Sequence, residues 1–442
     1  TAEQMLTRAL TLAARHPGTI PDDVLGDLHE RRGYSRMVLD DRDGAVEDLT
    51  AASNAHAAAQ RTSERIEIDE RLAWFLVLSH RIDEGAAHAD RIRAEAEAAG
   101  LSNIVVRLDA LRSLVRALQG DMPGAVELAN DVLARAEATD DVHAKAKAAI
   151  VMGGLQRWQG DLIRARELLE PATEATRGLT FPVLSGLASR WLLLTLVDAG
   201  EWQSVESLAS ALLARGEEAG DTHTAATAHH SMGVMARELG DITRAEKSGE
   251  TALALATEGR VRPAERVTMV LSLATSAMRR GDIASAESRL KQASALVTED
   301  PWLNWRLQAL LGLAEGRLAL SQGDAEAALA SSTRARAYLG DAQARFERAR
   351  AALLDAEASA AGGHDDARDK LVAALGMARE IDNAQLLADV ALAVAQRAPD
   401  AAPDARSLAE GAIARIGMVV PPEWKDEFAS SPRVTALNEL PT

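Results

Sequence analysis

The sequence predicts an all-α repeat protein, a right-handed α-α superhelix or solenoid of about nine to ten helix pairs. Three observations carry that expectation. A Gly-Asp turn recurs at a near-constant interval, and the stretches between turns carry apolar residues at helical spacing. The composition is rich in alanine and only 3% aromatic, without the β-branched and aromatic runs that mark strands. With 442 residues the chain is too long for one compact core. A repeat array escapes that limit, because each unit buries its apolar face only against its neighbours.

The turns come first. Gly-Asp stands at Gly120-Asp121, Gly160-Asp161, Gly240-Asp241, Gly281-Asp282 and Gly323-Asp324, with Gly200-Glu201 in the remaining slot. Weaker versions are placed at Asp40-Asp41, Ile82-Asp83 and Gly362-Gly363, which makes every interval 38 to 42 residues. Glycine supplies the positive φ that ends one helix, and aspartate caps the next. Four residues beyond each turn stand Ala45, Ala87, Ala125, Ala165, Val205, Ala245, Ala286, Ala328 and Ala367. Eight residues before it, Gly33, Gly153, Gly233 and Gly316 recur. Small side chains at both places let two helices approach closely.

Helices fill the intervals. Thr222–Leu239 presents Ala225, Ala228, Met232, Met235, Ala236 and Leu239 at spacings of mostly three and four, and 242–256 repeats the pattern after its turn. Each unit is therefore two antiparallel helices of roughly 16 to 18 residues.

Residues 231–245, with Gly233, Gly240-Asp241 and Ala245, resemble a tetratricopeptide repeat, as do Met152-Gly153-Gly154 through Gly160-Asp161 and Ala165. The resemblance spans about residues 20 to 420. The period is longer than the family's usual one. It is similar to the tetratricopeptide regions of MalT-like regulators, signalling ATPases, kinase- or cyclase-fused bacterial sensors, kinesin light chain and peptide-sensing quorum receptors. The resemblance implies a superhelix with a concave groove for peptides, protein segments or small inducers, and a scaffold or sensor role in a larger bacterial signalling or regulatory protein.

The ends depart from the repeat. Residues 1–18 read as a half-repeat or capping helix, 19–398 as the array, and 399–442 as a degenerate last pair with a cap. The chain begins at Thr1, which fits either a segment of a longer protein or a capping helix whose Met was removed. After the Pro/Ala/Asp-rich 398–403 comes a short helix, then Pro421-Pro422-Glu423-Trp424 opening the closing segment. Such a segment covers the apolar end of a last repeat.

Charge and missing motifs narrow the function. With 49 basic and 66 acidic residues the net charge is −17, which repels nucleic-acid phosphates. No cysteine is present, so disulfides, thiol nucleophiles and cysteine-bound zinc are excluded, and a cytoplasmic location is expected. No apolar run approaches the length of a membrane-spanning helix, and no signal peptide is expected. Phosphate-binding loops, Gly-x-Ser-x-Gly and His-Glu-x-x-His are absent. Adjacent His229 and His230 point about 100° apart on a helix, and Glu84 with His88 lacks further ligands. Asp140-Asp141 and Asp365-Asp366 read as N-caps. The expectation is a non-enzyme with no cofactor and no metal.

What remains is the inner wall, which the resemblance assigns to the first helix of each pair. Distance from each turn places Arg107, Lys147, Arg157, Arg190, His230, Arg237, Arg279 and Arg317 there, with Tyr34 and Trp158. A basic stripe inside an acidic shell favours an acidic peptide or carboxylate, and the partner expected is a protein or peptide. The other reading is solvated surface charge paired with neighbouring Glu and Asp. Trp74 and Trp191 are expected in the core, and Trp302 and Trp305 at the start of a helix facing the groove.

Overall fold

The computed structural model describes residues 2–179 and 181–440. Among these residues there is no strand. The helices are α1 (Ala2–Arg15), α2 (Asp22–Val38), α3 (Arg42–Ala58), α4 (Thr62–Leu78), α5 (Ile82–Ala98), α6 (Ser102–Gln119), α7 (Met122–Glu137), α8 (Val142–Gln159), α9 (Leu162–Thr176) and α10 (Pro182–Ala199). They continue with α11 (Trp202–Ala219), α12 (Thr222–Leu239), α13 (Ile242–Glu258), α14 (Pro263–Arg280), α15 (Ile283–Glu299), α16 (Asn304–Ser321), α17 (Ala325–Leu339), α18 (Arg345–Ala361), α19 (Ala367–Arg379), α20 (Ala384–Arg397) and α21 (Ala405–Met418). A 3-10 turn (Pro422–Trp424), α22 (Lys425–Ala429) and α23 (Pro432–Asn438) close the chain. From α2 onward the long helices pair in sequence. None is long and apolar enough to cross a membrane.

The turn chemistry works as expected where Gly-Asp is present. Gly120, Gly160, Gly240, Gly281 and Gly323 hold φ between 78° and 110°. Asp121, Asp161, Asp241, Asp282 and Asp324 each accept a bond from the backbone N–H three residues on. A Cβ at Gly233 would sit 3.1 Å from the Ala245 carbonyl, so α12 and α13 approach backbone to backbone.

Two turns differ from expectation. The one placed at Ile82-Asp83 lies two residues earlier. Ile82 already begins α5, His80 carries the positive φ of 74°, and Arg81 takes the N-cap position. The residue meeting α4 closely is Gly85, next to the Ala73 carbonyl and Val77, while Ala87 is exposed. Histidine in the left-handed conformation hid the turn, because the sequence signal was glycine. With that correction the residues just before α3, α5, α7, α9, α11 and α13 are 41, 81, 121, 161, 201 and 241, an unbroken interval of 40. The last turn is longer instead. Gly363 has φ 72°, but α19 starts only at Ala367, and Asp366 makes no side-chain capping bond. Asp141, by contrast, caps α8 by accepting from the N–H groups of His143 and Ala144.

The chain forms two compact units. Of the described residues, the first holds those up to 155, 167–191 and 215–222, and the second holds 156–166, 192–214 and those from 223 on. In the first, Trp74 is fully buried, and a Cβ on Gly154 would fall 1.9 Å from the ring of Trp191. In the second, Val267, Val270, Leu307 and Leu311 build the seam between α14, α15 and α16, and Trp305 packs on the neighbouring seam of α17 and α18. Inward-facing alanines at these seams keep the helices close.

The second unit also folds back on itself. The closing segment packs on α20 and α21, and it reaches α11 to α13 as well. Buried Trp424 donates Nε1–H to Glu206 at 3.0 Å, and Arg244 stacks 4.2 Å over its ring. Asn383 at the head of α20 donates to the Asp198 carbonyl, 185 residues away in sequence.

Candidate functional site

The eight basic residues placed on the inner wall separate between the two units. In the first unit, Lys147 of α8 is 1% exposed and ion-paired with Glu70 of α4, itself 0% exposed. Its ammonium lies 5.1 Å from the ring centre of Trp74 and 5.6 Å from that of Phe181. Burial pushes its pKa down to about 8, with Glu70 opposing the shift. The second oxygen of Glu70, Oε2, has no hydrogen-bond partner. Around this pair, Arg71 bonds to Glu30 and, at 2.8 Å, to the Tyr34 hydroxyl. Burial, reinforced by Glu30, keeps Tyr34 protonated well beyond the ordinary phenol range. Arg107 of α6 is buried and bonds Asp141 at 2.6 Å. Burial, with Arg107, Lys147 and Arg71 nearby, pushes His143 down to about 4. Arg190 of α10 is half-buried, its guanidinium lying over Gly186.

In the second unit, the structure brings Arg157, His230, Arg237 and Arg279 into one charged cluster. Arg157 pairs with Asp198 at 2.7 Å. Arg237 pairs with Glu238 at 2.9 Å and donates to the Ser272 hydroxyl at 2.6 Å. Arg279 bonds the same Glu238 at 3.1 Å and the Arg237 carbonyl at 2.7 Å. From the closing segment, Arg433 adds a third cation to Glu238 at 2.8 Å and grips Asp389 through two bonds of 2.6 and 3.0 Å. Burial alone would raise the Glu238 pKa, yet Arg279, Arg433 and Arg237 hold it well below the carboxylate range. His230 is 9% exposed and its Nδ1 has no partner. Burial, with Arg237 and Arg157 close by, pushes it down to about 4. Arg317 stands apart, paired with Glu357.

Several members of these clusters stand outside the basic stripe that the sequence predicts. They include Glu70, Asp198, Glu238, Asp389 and two arginines of the second unit, Arg306 and Arg350. Arg306 pairs with Glu347 at 2.6 Å. Among the described residues Arg350 of α18 has no ion-pair partner, and its guanidinium lies 4.2 Å over the ring of Phe346. It is solvent-exposed and lies in the field of Glu347, Asp198, Glu238 and Asp389.

Two cavities lie elsewhere. One of about 350 Å³ opens in the first unit beside Ser102, Asn103, Val106 and Arg135. Another of about 200 Å³ in the second unit is lined by Leu162, Glu201, Gln385 and Arg415. Neither gathers a nucleophile with a base and an oxyanion donor. Among the described residues no group of three or more His, Asp and Glu is placed to hold a metal ion.

No protein-family model matches the chain, and no curated protein matches it by sequence. Solved structures do match in fold. A Rap protein complexed with competence and sporulation factor superposes with a TM-score of 0.62 at 12% identity, covering 81% of this chain and 100% of that one. A signal transduction ATPase with numerous domains and a tetratricopeptide repeat sensor, from Pyrococcus horikoshii, gives 0.47 at 17% identity, over 85% of this chain and 54% of that one. The fold is that of the tetratricopeptide-type helical-repeat superfamily.

Proposed function

We propose that this chain is a non-catalytic interaction module, a scaffold or sensor segment of a larger bacterial signalling or regulatory protein. It holds a partner segment on the inner wall formed by the first helices of its pairs. The observation that supports this reading is the grouping of Arg157, Arg237 and Arg279 on first helices of the second unit in a chain of net charge −17. Buried or deep-lying charge is costly and is retained where it specifies a contact. Regular helix pairs that present a continuous repeated surface support a binding role.

A second reading is a ligand-gated regulator, in which a small molecule or peptide inducer settles on the wall. The Rap structure, solved with competence and sporulation factor, favours it. So does the crowding of the walls by ion pairs, since a crowded wall suits a small ligand better than a broad protein surface.

The test is site-specific photo-crosslinking in lysate from the source cells. A crosslinker replaces Arg317 on the inner helix α16 or Arg215 on the outer helix α11. A discrete adduct from position 317 and none from 215 supports the reading. Adducts from 215 alone, or from neither, reject inner-wall binding. The mass of the adduct separates a protein partner from a small inducer.

A further inference from the structure

We propose that the second unit is built to open: two of its edges meet along a polar seam that parts as one piece, and the closing segment is the strap that holds it shut. This adds a regulation to the inner-wall reading but is measured on the chain alone, so either can fail without the other.

The seam follows the turns. Gly160, Gly200 and Gly240 end α8, α10 and α12, and a later part of the unit lies directly against each of them. A Cβ on Gly160 would lie 3.2 Å from the Phe346 backbone nitrogen, and one on Gly240 3.1 Å from the Glu427 carbonyl oxygen. One on Gly200 would collide with the Gln385 amide. Gly281 and Gly323 hold the same left-handed conformation, yet nothing stands within 4 Å of a Cβ there. The first three turns therefore need glycine twice, for the positive φ and for the approach of the second edge. Bonds across the seam keep a near-constant offset. Arg345 Nε donates to the Gln159 carbonyl 186 residues away, and Asn383 to the Asp198 carbonyl 185 away. Further along, the Gln203 N–H donates to the Val419 carbonyl at 2.9 Å. It belongs to the first turn of α11, where no carbonyl of its own helix accepts it.

The contacts are weakest at one end and strongest at the other. At α18, Arg345 reaches Gln159 at 3.4 Å and Asp161 at 3.8 Å. In the middle, a cavity of about 200 Å³ lies between Leu162 and Glu201 on one edge and Gln385 and Arg415 on the other. Gln385 and Ser431 are buried with Nε2 and Oγ unpartnered. Such groups make closure costly, and water would satisfy them once the edges separate. The seam of α14 to α16 is closed instead by Val267, Val270, Leu307 and Leu311. Regions held by few apolar contacts open before those held by many. What fastens the polar seam is the closing segment. Trp424 is buried against Glu206 and Arg244, and Arg433 binds Glu238 of one edge and Asp389 of the other. Because Glu238 stands on the first helix α12, the strap also occupies the inner wall, and its release frees Glu238 together with the edge.

The experiment is hydrogen exchange of the full chain, read by mass spectrometry. Trp424→Ala with Arg433→Gln releases the strap. Gly160→Cys with Arg345→Cys staples the far end: a Cβ on Gly160 would lie 3.5 Å from that of Arg345, within reach of a disulfide, and the chain has no other cysteine. Oxidised and reduced forms of this variant are compared with each other, which cancels the cost of cysteine at a positive φ. Releasing the strap is expected to speed exchange at Gln203 by at least about tenfold, with α14 and α16 within about twofold of the wild type. Oxidising the staple is expected to slow Gln203 by at least about tenfold, although the staple joins a different pair of turns. Exchange at Gln203 unchanged on release, α14 and α16 accelerated in step with it, a disulfide that does not form under mild oxidant, or a staple without effect on Gln203 each overturns the proposal. Should circular dichroism show the released variant unfolded, the staple decides alone.

Discussion

Replacing Lys147 by Met leaves Glu70 buried without its ion-pair partner. Both side chains are essentially inaccessible, and one oxygen of Glu70 already lacks a partner. Removing one member of such a pair costs about 3–5 kcal/mol, because the remaining charge must stay unpaired or take up a proton. Removing both, as Lys147→Met with Glu70→Leu, restores an apolar contact against Trp74 and Phe181. That double variant is expected within about 1 kcal/mol of the wild type or above it. The coupling energy between the two sites is then at least about 3 kcal/mol. The pH dependence gives an independent sign. The folded lysine releases its proton near pH 8, the unfolded one near 10.5. Between those values the unfolded chain binds more protons, so the wild type gains stability as pH rises, by up to about 1.4 kcal/mol per unit. Tyr34 opposes this above pH 10, because its folded form keeps a proton that the unfolded form releases. The window is therefore pH 8 to 10. A repeat array need not unfold in one step, so hydrogen exchange on the α4 and α8 peptides is the assay, supported by urea unfolding. Additive single-variant losses, or a wild type whose α4 protection is flat across that window, would refute the dry-pair reasoning.

Three further outcomes follow from the packing. Arg433→Ala removes the bonds to Asp389 and Glu238, and charge-assisted bonds of this kind contribute about 2–3 kcal/mol, so limited proteolysis should cut within 421–440 before the array; resistance equal to wild type counts against that anchor. His230 stays neutral down to about pH 4 when folded, while the unfolded residue protonates near 6.5, so stability falls as pH drops through that interval by up to about 3 kcal/mol; His230→Gln should flatten the slope, and parallel curves would reject it. Gly154→Ala pushes a methyl into the Trp191 ring and should destabilise by about 1–3 kcal/mol, whereas Gly411→Ala on open α21 should stabilise by up to about 1 kcal/mol; thermal melts of the pair compare them directly, and equal shifts would contradict the packing at α8.

The repeat was legible because its punctuation is chemical. Gly-Asp fixes a left-handed residue and a cap, and both can be read from the residue types alone. Where another residue takes the left-handed conformation, the signal fades. Asp40, Gln60, His80 and Arg260 do so with φ of 48° to 74°, and the turn at His80 was accordingly placed two residues late. In the true register Glu67, Arg107 and Lys147 share one position, fourteen residues before residues 81, 121 and 161. Glu30, Glu70, Arg190 and His230 share another, eleven before 41, 81, 201 and 241. Opposite charges at equivalent positions were thus present in the sequence, but only the bases were sought. Closure of the second unit was not legible at all. The contact of Asn383 with Asp198, and of Trp424 with Glu206, joins residues some 200 apart that no local pattern relates.

Equivalent positions carrying opposite charges pose a physical question, because each helix pair here looks much like the next. Alanine seams pack almost any pair against any other, so apolar burial alone discriminates poorly between correct and shifted neighbours. Charged groups discriminate strongly, since a like-charge or unpaired contact in a dry interior is heavily penalised. The Glu70–Lys147 pair joins first helices two pairs apart, and Glu238 joins α12 to α14 and α23. Each therefore favours one arrangement of similar units at little net gain in stability.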